Sequence, residues 1–236
     1  MTIVASCFVL AAALVSARAV APTPWATIFT IAFDSNITSA GTRSSATPVE
    51  GKMLYDWTQQ MQRVDHGAGA YECVVFYSSD LPCSLYFTPT GMYRTLSEPL
   101  PAGQEQCCLD LDFIHASAPT WAVDAQPTFV GAVRDEYSQL IGNKFKFDYN
   151  GTVEDSSCHY YTELAEGGKM QGSPLVFTFP VDDGRQDYRF NVGSYEGRHQ
   201  PLPATLFALP DGCEKTMCSS STKSKRALLK KPYASL

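Results

Sequence analysis

Residues 51–108 contain a series of short aromatic and β-branched runs that are separated by turn residues. The runs are 51–57, 62–65, 71–77, 83–88 and 91–94, and the series ends at Cys107 and Cys108. Such runs are typical of consecutive antiparallel strands. Because Cys73 and Cys83 lie inside two of them, we predict a sheet that is stapled by disulfide bonds.

Alternating apolar and polar residues predict further strands along the rest of the chain. These are 25–33, 107–113, 144–149, 158–162, 175–179 and 188–192. Residues 129–137 could form a strand or a short helical turn, of which we favour the strand. Residues 34–48 are polar and predict a surface loop, and residues 116–127 predict an irregular crossing that carries Trp121. No segment predicts a helix longer than two turns. The fold class is therefore mainly β, in one domain.

The N-terminus predicts entry into the secretory route. An apolar run over residues 3–15 is followed by Ala17-Arg18-Ala19, which resembles a signal-peptide cleavage site. The run is shorter than the roughly 20 residues that a membrane-spanning helix needs, and no other stretch is long enough. We predict a signal peptide over 1–19, a β domain over 20–218, a basic disordered tail over 219–236, and an extracellular location.

Seven cysteines remain after removal of the predicted signal peptide. They are Cys73, Cys83, Cys107, Cys108, Cys158, Cys213 and Cys218. An oxidising compartment favours disulfides over thiolate metal sites. Side chains of adjacent strand residues point to opposite faces, so Cys107 and Cys108 should have different partners. An odd number leaves one thiol free or linked to a second chain, which would make a homodimer.

Two sequons, at Asn36 and Asn150, predict glycosylation in loops or turns of a secreted protein. The formal net charge of −6 argues against nucleic acid as a partner. An acidic surface would tolerate Ca²⁺, which takes oxygen ligands. The acidic turn at Asp182, Asp183 and Asp187 is the place for it, although a solvated hairpin turn explains these residues better. No cofactor is predicted.

The sequence contains no nucleophile elbow, zinc-protease motif, P-loop or dinucleotide fingerprint. Cys158 and His159 are neighbours, but on a strand their side chains point apart, so a half-cystine is the better interpretation. Paired carboxylates could hydrolyse glycosides. Two candidate pairs are Asp110 with Asp112 and Asp56 with Asp65, all of which we assign to solvated outer positions. The prediction is a protein that is not an enzyme.

Aromatic residues are numerous, with 13 Phe, 12 Tyr and 3 Trp, and many occupy alternating strand positions. They could fill the core of a packed sandwich. They could equally line a cavity for an apolar ligand, because curved β structures commonly enclose one. Sequence alone leaves both possibilities open.

The order of these segments resembles that of the ependymin-related secreted glycoproteins, whose fold is similar to LolA-type lipoprotein carriers. The resemblance runs from residue 51 to 218 and has four parts. They are the hairpin Leu54-Tyr55-Asp56-Trp57 to Gln62-Arg63-Val64, the aromatic segments of 71–87, Pro119-Thr120-Trp121, and Phe207-Ala208-Leu209-Pro210 before Cys213. The doubled cysteine, the additional Cys83 and the basic tail depart from the family pattern.

The resemblance implies a curved antiparallel sheet, or two stacked sheets, around an apolar pocket. It also implies that Cys73 pairs with Cys218 and that Cys107 or Cys108 pairs with Cys213. It further implies binding of a lipid or another apolar ligand, in a dimer and with Ca²⁺ involved. The pocket-lining aromatics would come from inner strand faces: Tyr55, Trp57, Phe87, Tyr93, Phe145, Phe147, Phe177 and Phe179.

Our leading hypothesis is therefore a secreted, non-enzymatic carrier of a hydrophobic small molecule or lipid. The alternative is a structural or adhesive extracellular glycoprotein with a packed core and no ligand cavity. A hydrolase with paired carboxylates is the third interpretation.

Overall fold

A computed structural model describes residues 20–39, 47–77, 80–96, 106–147, 159–181, 184–213 and 217–218. The predicted signal peptide, the sequon at Asn150, Cys158 and the C-terminal tail lie outside the described residues. Within the described ranges, no helix is long and apolar enough to cross a membrane.

The described residues contain eleven strands, two short α-helices and two 3-10 helices (Gly168–Met170 and Ala204–Phe207). The strands are β1 (Ile28–Ser39), β2 (Val49–Asp56), β3 (Met61–His66), β4 (Cys83–Thr88), β5 (Gly91–Leu96), β6 (Cys107–Leu111), β7 (Thr128–Arg134), β8 (Ile141–Phe147), β9 (His159–Leu164), β10 (Pro174–Val181) and β11 (Gly184–Gly197). The α-helices are α1 (Tyr71–Tyr77) and α2 (Trp121–Asp124).

The strands form one curved antiparallel sheet in the order β6-β5-β4-β3-β2-β1-β11-β10-β9-β8-β7. The predicted mainly β class is confirmed. From β1 the chain builds outward, strand by strand, to one edge at β6. It then crosses to the other edge at β7 and builds back until β11 pairs with the free side of β1.

This strand order requires the segment between β6 and β7 to travel from one edge of the sheet to the other. The segment takes the concave side, where Ile114, Ala116 and Trp121 are buried against the sheet. The crossing predicted for residues 116–127 is thus a roof over the concave face, and we call residues 112–127 the roof segment.

Alternation along each strand divides the apolar residues between two faces. The concave face carries the largest cluster, which includes Phe29, Ile31, Phe33, Met53, Tyr55, Val64, Leu85, Phe87, Met92 and Phe190. The convex face carries two smaller clusters, one around Leu54 and Phe207 and one around Tyr86 and Tyr93. On the concave face, Phe33 lies over its pairing partner Gly51, where a Cβ would come within 2.2 Å of the ring.

Two segments differ from the sequence-based predictions. Residues 71–77 form α1 rather than a strand. Their β-branched and aromatic side chains favour a strand. The helix is stabilised instead by tertiary contacts, namely the disulfide bond of Cys73 and the packing of Val75 and Tyr77 on the concave cluster. Residues 34–39 continue β1 rather than begin a loop, because each pairs with a residue of β11. Asn36 therefore lies in a strand, opposite Asp187.

Three disulfide bonds join Cys73 to Cys83, Cys107 to Cys213 and Cys108 to Cys218. The expectation that Cys107 and Cys108 have different partners is confirmed. The implied pairing of Cys73 with Cys218 is wrong, because α1 places Cys73 beside the start of β4. The two neighbouring bridges hold Cys213 and Cys218 against edge strand β6, where Cys218 also donates its amide to the Leu109 carbonyl.

Asp56 at the end of β2 is fully buried and joins the β2–β3 hairpin to the C-terminal part of the domain. Its carboxylate accepts hydrogen bonds from the Thr58 amide and hydroxyl, from the Gln59 side chain and from the Leu202 amide, at 2.6–3.0 Å. Burial by itself would raise the pKa of Asp56, but these hydrogen bonds outweigh it and lower the pKa.

We expect Asp56→Asn to lower the free energy of unfolding by about 3 kcal/mol, because an amide nitrogen would face two buried donors. The charged form stabilises the fold above the pKa of an unfolded aspartate, about 3.9, and this contribution disappears as the pH falls through the lower folded pKa. Urea unfolding between pH 7 and pH 3 measures both effects. An equal loss of stability on acidification in the wild type and in Asp56→Asn would contradict this role.

Candidate functional site

An apolar cavity of about 90 Å³ lies between the concave face and the roof segment. The sheet contributes mainly aliphatic and aromatic side chains: Phe33, Met53, Val64, Leu85, Phe87, Tyr161, Phe177, Phe179 and Phe190. The roof segment contributes Ile114, His115, Ser117 and Trp121, and Trp25, which precedes β1, and Gln62 of β3 also line the cavity. A water molecule needs roughly 10–15 Å³ of such space, so the cavity has room for a small apolar molecule or one end of a larger one.

Hydrogen bonds attach the roof to the sheet around the cavity. The Tyr55 hydroxyl donates to the Ser117 carbonyl at 2.7 Å, and the ring of His115 contacts the Thr88 carbonyl oxygen through Nδ1 at 3.0 Å. Trp25 donates its indole N–H to the Tyr161 hydroxyl at 3.0 Å. Burial strongly raises the pKa of Tyr55 and Tyr161, so both hydroxyls stay protonated and can donate. The bonds of Ser117 and His115 hold the roof at a set distance from the sheet, and Trp25 joins β9 to the roof because its amide also donates to the Pro119 carbonyl.

One end of the cavity is polar. His66 and Tyr188 line it, and the carboxylate of Glu72, at the start of α1, lies directly behind both. Glu72 Oε2 is 3.5 Å from His66 Nδ1, while Glu72 Oε1 accepts hydrogen bonds from the Tyr188 hydroxyl and from Gln186 Nε2. His66, Glu72 and Gln186 are all less than 5 % exposed. We call these four residues the polar end.

Burial lowers the pKa of His66, and the nearby carboxylates of Glu72 and Asp65 oppose this effect only in part. The imidazole is therefore neutral at pH 7. Neither ring nitrogen of His66 has a hydrogen-bond partner among the described residues, and the same is true of Gln186 Oε1. Unpaired buried polar atoms are rare and costly, so this end of the cavity is suited to a polar group.

Of the eight aromatics predicted to line a pocket, Phe87, Phe177 and Phe179 lie on the cavity wall. Tyr55, Phe145 and Phe147 are fully buried in the core around it, and Trp57 packs partly buried against the same cluster. Tyr93 lies on the convex face, because it pairs with Tyr86 while Phe87 pairs with Met92. Ligand contact stays a prediction for all eight.

Sequence reasoning missed the polar end and the roof contacts. Val64 and His66 alternate along β3, so their shared face could be inferred, but the pattern does not say which face is concave. Glu72 could not be placed, because residues 71–77 were predicted as a strand. Trp121 was predicted only to lie in the irregular crossing, and its neighbours Phe147 and Phe177 were not predicted.

The two members of each carboxylate pair considered for hydrolysis have different surroundings. Asp110 is buried beside Arg94, whereas Asp112 is exposed beyond the end of β6. Asp56 is held by backbone and side-chain donors, and Asp65 by Arg63 and Ser84. The predicted solvated positions of Asp56 and Asp110 are wrong, because both are at most 2 % exposed.

The acidic turn considered for Ca²⁺ is also different from its prediction. Asp187 is buried, accepts a hydrogen bond from the Thr178 hydroxyl at 2.7 Å and lies 3.4 Å from Arg185. Asp182 and Asp183 lie outside the described residues. Over the described ranges, no three His, Cys, Asp or Glu side chains converge as a metal site would require.

The fold and the cavity together define a mainly β, disulfide-bonded protein with an apolar space beneath a roofed, curved sheet. No protein-family model and no curated protein matches the chain. The chain is similar to a solved structure of an uncharacterised conserved protein from Thermus thermophilus, at 12 % identity, 80 % coverage of this chain, 89 % coverage of that chain and a TM-score of 0.46. It is also similar to a LolA superfamily protein from Nitrosomonas europaea, at 7 % identity, 77 % and 90 % coverage and a TM-score of 0.34.

Both TM-scores are below 0.5. A LolA superfamily protein is among the structural neighbours, at very low sequence identity. Neither a family model nor a curated protein supports the resemblance to the ependymin-related proteins, which stays a prediction.

Proposed function

We propose that this protein is a secreted, non-enzymatic glycoprotein that binds a hydrophobic small molecule or lipid between the curved sheet and its roof. The observation that carries this proposal is the apolar cavity, whose walls come from both halves of the sheet and from the roof segment. A ligand there would be stabilised by burial of its apolar surface, at about 25 cal/mol per Å² before ordering costs. Ca²⁺ plays no necessary part in this binding.

The three disulfide bonds support an oxidising location. They use six of the seven cysteines that follow the predicted signal peptide, which leaves Cys158 as the residue that would link a homodimer. Glycosylation at Asn36 and Asn150 belongs to the same proposal.

A structural or adhesive glycoprotein is the second candidate. The observation that favours it is the small size of the cavity, about 90 Å³, beside a densely packed aromatic core. This candidate predicts that the protein carries no apolar molecule.

Native mass spectrometry of the secreted protein, followed by solvent extraction, distinguishes the two candidates. We expect a stoichiometric apolar molecule that leaves on denaturation, or uptake of 1-octanol by the empty protein in calorimetry with a negative heat-capacity change. An empty protein that takes up no 1-octanol would contradict ligand binding and favour the structural or adhesive glycoprotein. The same spectrum shows whether two chains are linked.

We expect Val64→Phe to weaken 1-octanol binding at least tenfold while the protein stays folded, because the larger ring would occupy the cavity. Overpacking of this kind costs about 1–3 kcal/mol of stability. The matched control is Leu54→Phe, which adds similar bulk on the convex face. Equal loss of binding in the two variants would show that instability, rather than filling of the cavity, is responsible.

A further inference from the structure

We propose that the polar end, formed by His66, Glu72, Gln186 and Tyr188, selects apolar ligands that carry a hydrogen-bond-donating head group, a hydroxyl or an ammonium, and rejects carboxylates. This inference rests on the proposed function, since it assigns the ligand class of the same cavity. It follows from the directions of the two hydrogen bonds to Glu72 and from the position of the Glu72 carboxylate beside His66.

Glu72 is the common acceptor of the polar end. The Tyr188 hydroxyl and the Gln186 amide both donate to Glu72 Oε1, so the Tyr188 hydrogen and one of the two Gln186 amide hydrogens are directed at Glu72 and not at a ligand. The second carboxylate oxygen, Glu72 Oε2, lies 3.5 Å from His66 Nδ1. A carboxylate at that position favours the tautomer of a neutral imidazole with the proton on Nδ1.

The same arrangement leaves an acceptor for a ligand. With its proton on Nδ1, His66 has a lone pair on Nε2, and His66 is part of the cavity wall. His66 Nε2 has no hydrogen-bond partner among the described residues. A hydroxyl or ammonium can donate to this acceptor, whereas a carboxylate has no hydrogen to give.

The charge at this end also selects against an anion. Among the described residues, His66 is the only basic group in ion-pair contact with Glu72. Arg94, the buried arginine on the same side of the sheet, is engaged with Cys218 and Asp110 instead. A ligand carboxylate would therefore be buried near Glu72 without a compensating cation, an arrangement that strongly disfavours ionisation.

A metal ion is a poorer occupant than an organic head group. Hard cations such as Ca²⁺ take six to eight oxygen ligands, and the polar end offers a single carboxylate. No metal-ligating cluster is present among the described residues. The apolar walls that continue from His66 instead suit the chain of an amphipathic molecule.

The test compares four eight-carbon probes of similar size by calorimetry on the intact secreted protein at pH 7.5: 1-octanol, octylamine, octanoate and octane. We expect 1-octanol and octylammonium to bind at least about tenfold more tightly than octanoate. Octanoate binding as tightly as 1-octanol would overturn this inference and leave the proposed function standing. Binding of none of the four would overturn both.

Two variants assign the selectivity to the polar end. Glu72→Gln keeps an acceptor for Tyr188 and Gln186 but removes the charge, so we expect the preference for octylammonium over octanoate to fall at least about tenfold. His66→Phe should weaken 1-octanol about three- to tenfold and leave octane unchanged, because one hydrogen bond is lost.

The matched control is Glu163→Gln, which neutralises another buried carboxylate. Glu163 accepts hydrogen bonds from Thr23, and neither residue lies on the cavity wall. It should leave the order of the four probes unchanged. An unchanged order in Glu72→Gln as well would overturn the assignment to Glu72. The comparison of the four probes on the wild-type protein needs no variant. It can therefore still refute the inference if Glu72→Gln does not fold.

Discussion

Removing both C-terminal disulfides, by Cys107→Ser with Cys108→Ser, is expected to cost about 7 kcal/mol of stability, whereas removing either one alone costs about 2–3 kcal/mol. The bridges span 106 and 110 residues and join neighbouring positions at both ends. While one bridge is intact, it already joins the two ends of the long loop. The other bridge then closes a ring of only about eight residues. The long loop is released only when both are absent, and its closure is worth about 5 kcal/mol.

A loss of this size equals much of the 5–15 kcal/mol that stabilises a typical domain, so the doubly substituted protein should unfold near room temperature. Urea unfolding of the wild type, both single variants and the double variant measures the non-additivity. Cys73→Ala with Cys83→Ala is the control, because that bridge spans only 10 residues elsewhere in the chain. Additive effects of the two single substitutions would contradict the nested arrangement.

Phe147→Asp is expected to prevent folding, at a cost of about 5 kcal/mol or more. Phe147 is 2 % exposed and stacks on Trp121 of the roof, with ring centroids 5.4 Å apart. The substitution removes that contact and buries a charge in a cluster of apolar side chains. Circular dichroism and urea unfolding measure the effect.

Phe147→Leu separates packing from ligand contact. It should cost about 1–2 kcal/mol and leave 1-octanol binding within about twofold, because Phe147 lies in the core beside the cavity rather than on its wall. Loss of binding in a folded Phe147→Leu protein would place this ring in the ligand site instead. A well-folded Phe147→Asp protein would contradict its burial.

The strands could be predicted because an antiparallel sheet with one buried face leaves a period of two in the sequence. Phe145 and Phe147 alternate with lysines, and the structure buries both rings in β8. The same reasoning failed for residues 71–77, where β-branched and aromatic composition favours a strand. A seven-residue helix has little stability of its own, so contacts distant in sequence decide its conformation.

The sequence predicted the aromatic character of the candidate site but not which residues form it. Aromatic content indicated either a cavity or a core, and the structure contains both: Phe177 and Phe179 on the wall, Phe145 and Phe147 in the core. Which of two equivalent faces becomes concave depends on strand order. A periodic pattern carries no information about strand order.

The sequence by itself determined the mainly β class, the positions of most strands and the separate partners of Cys107 and Cys108, because each follows from local periodicity or from the geometry of adjacent residues. The tertiary structure alone decided that β11 pairs with β1 and that the roof crosses the concave side. It also decided that Glu72 meets Gln186, 114 residues away in the chain. Pairings over such distances depend on the packing of the whole sheet, which no local pattern records.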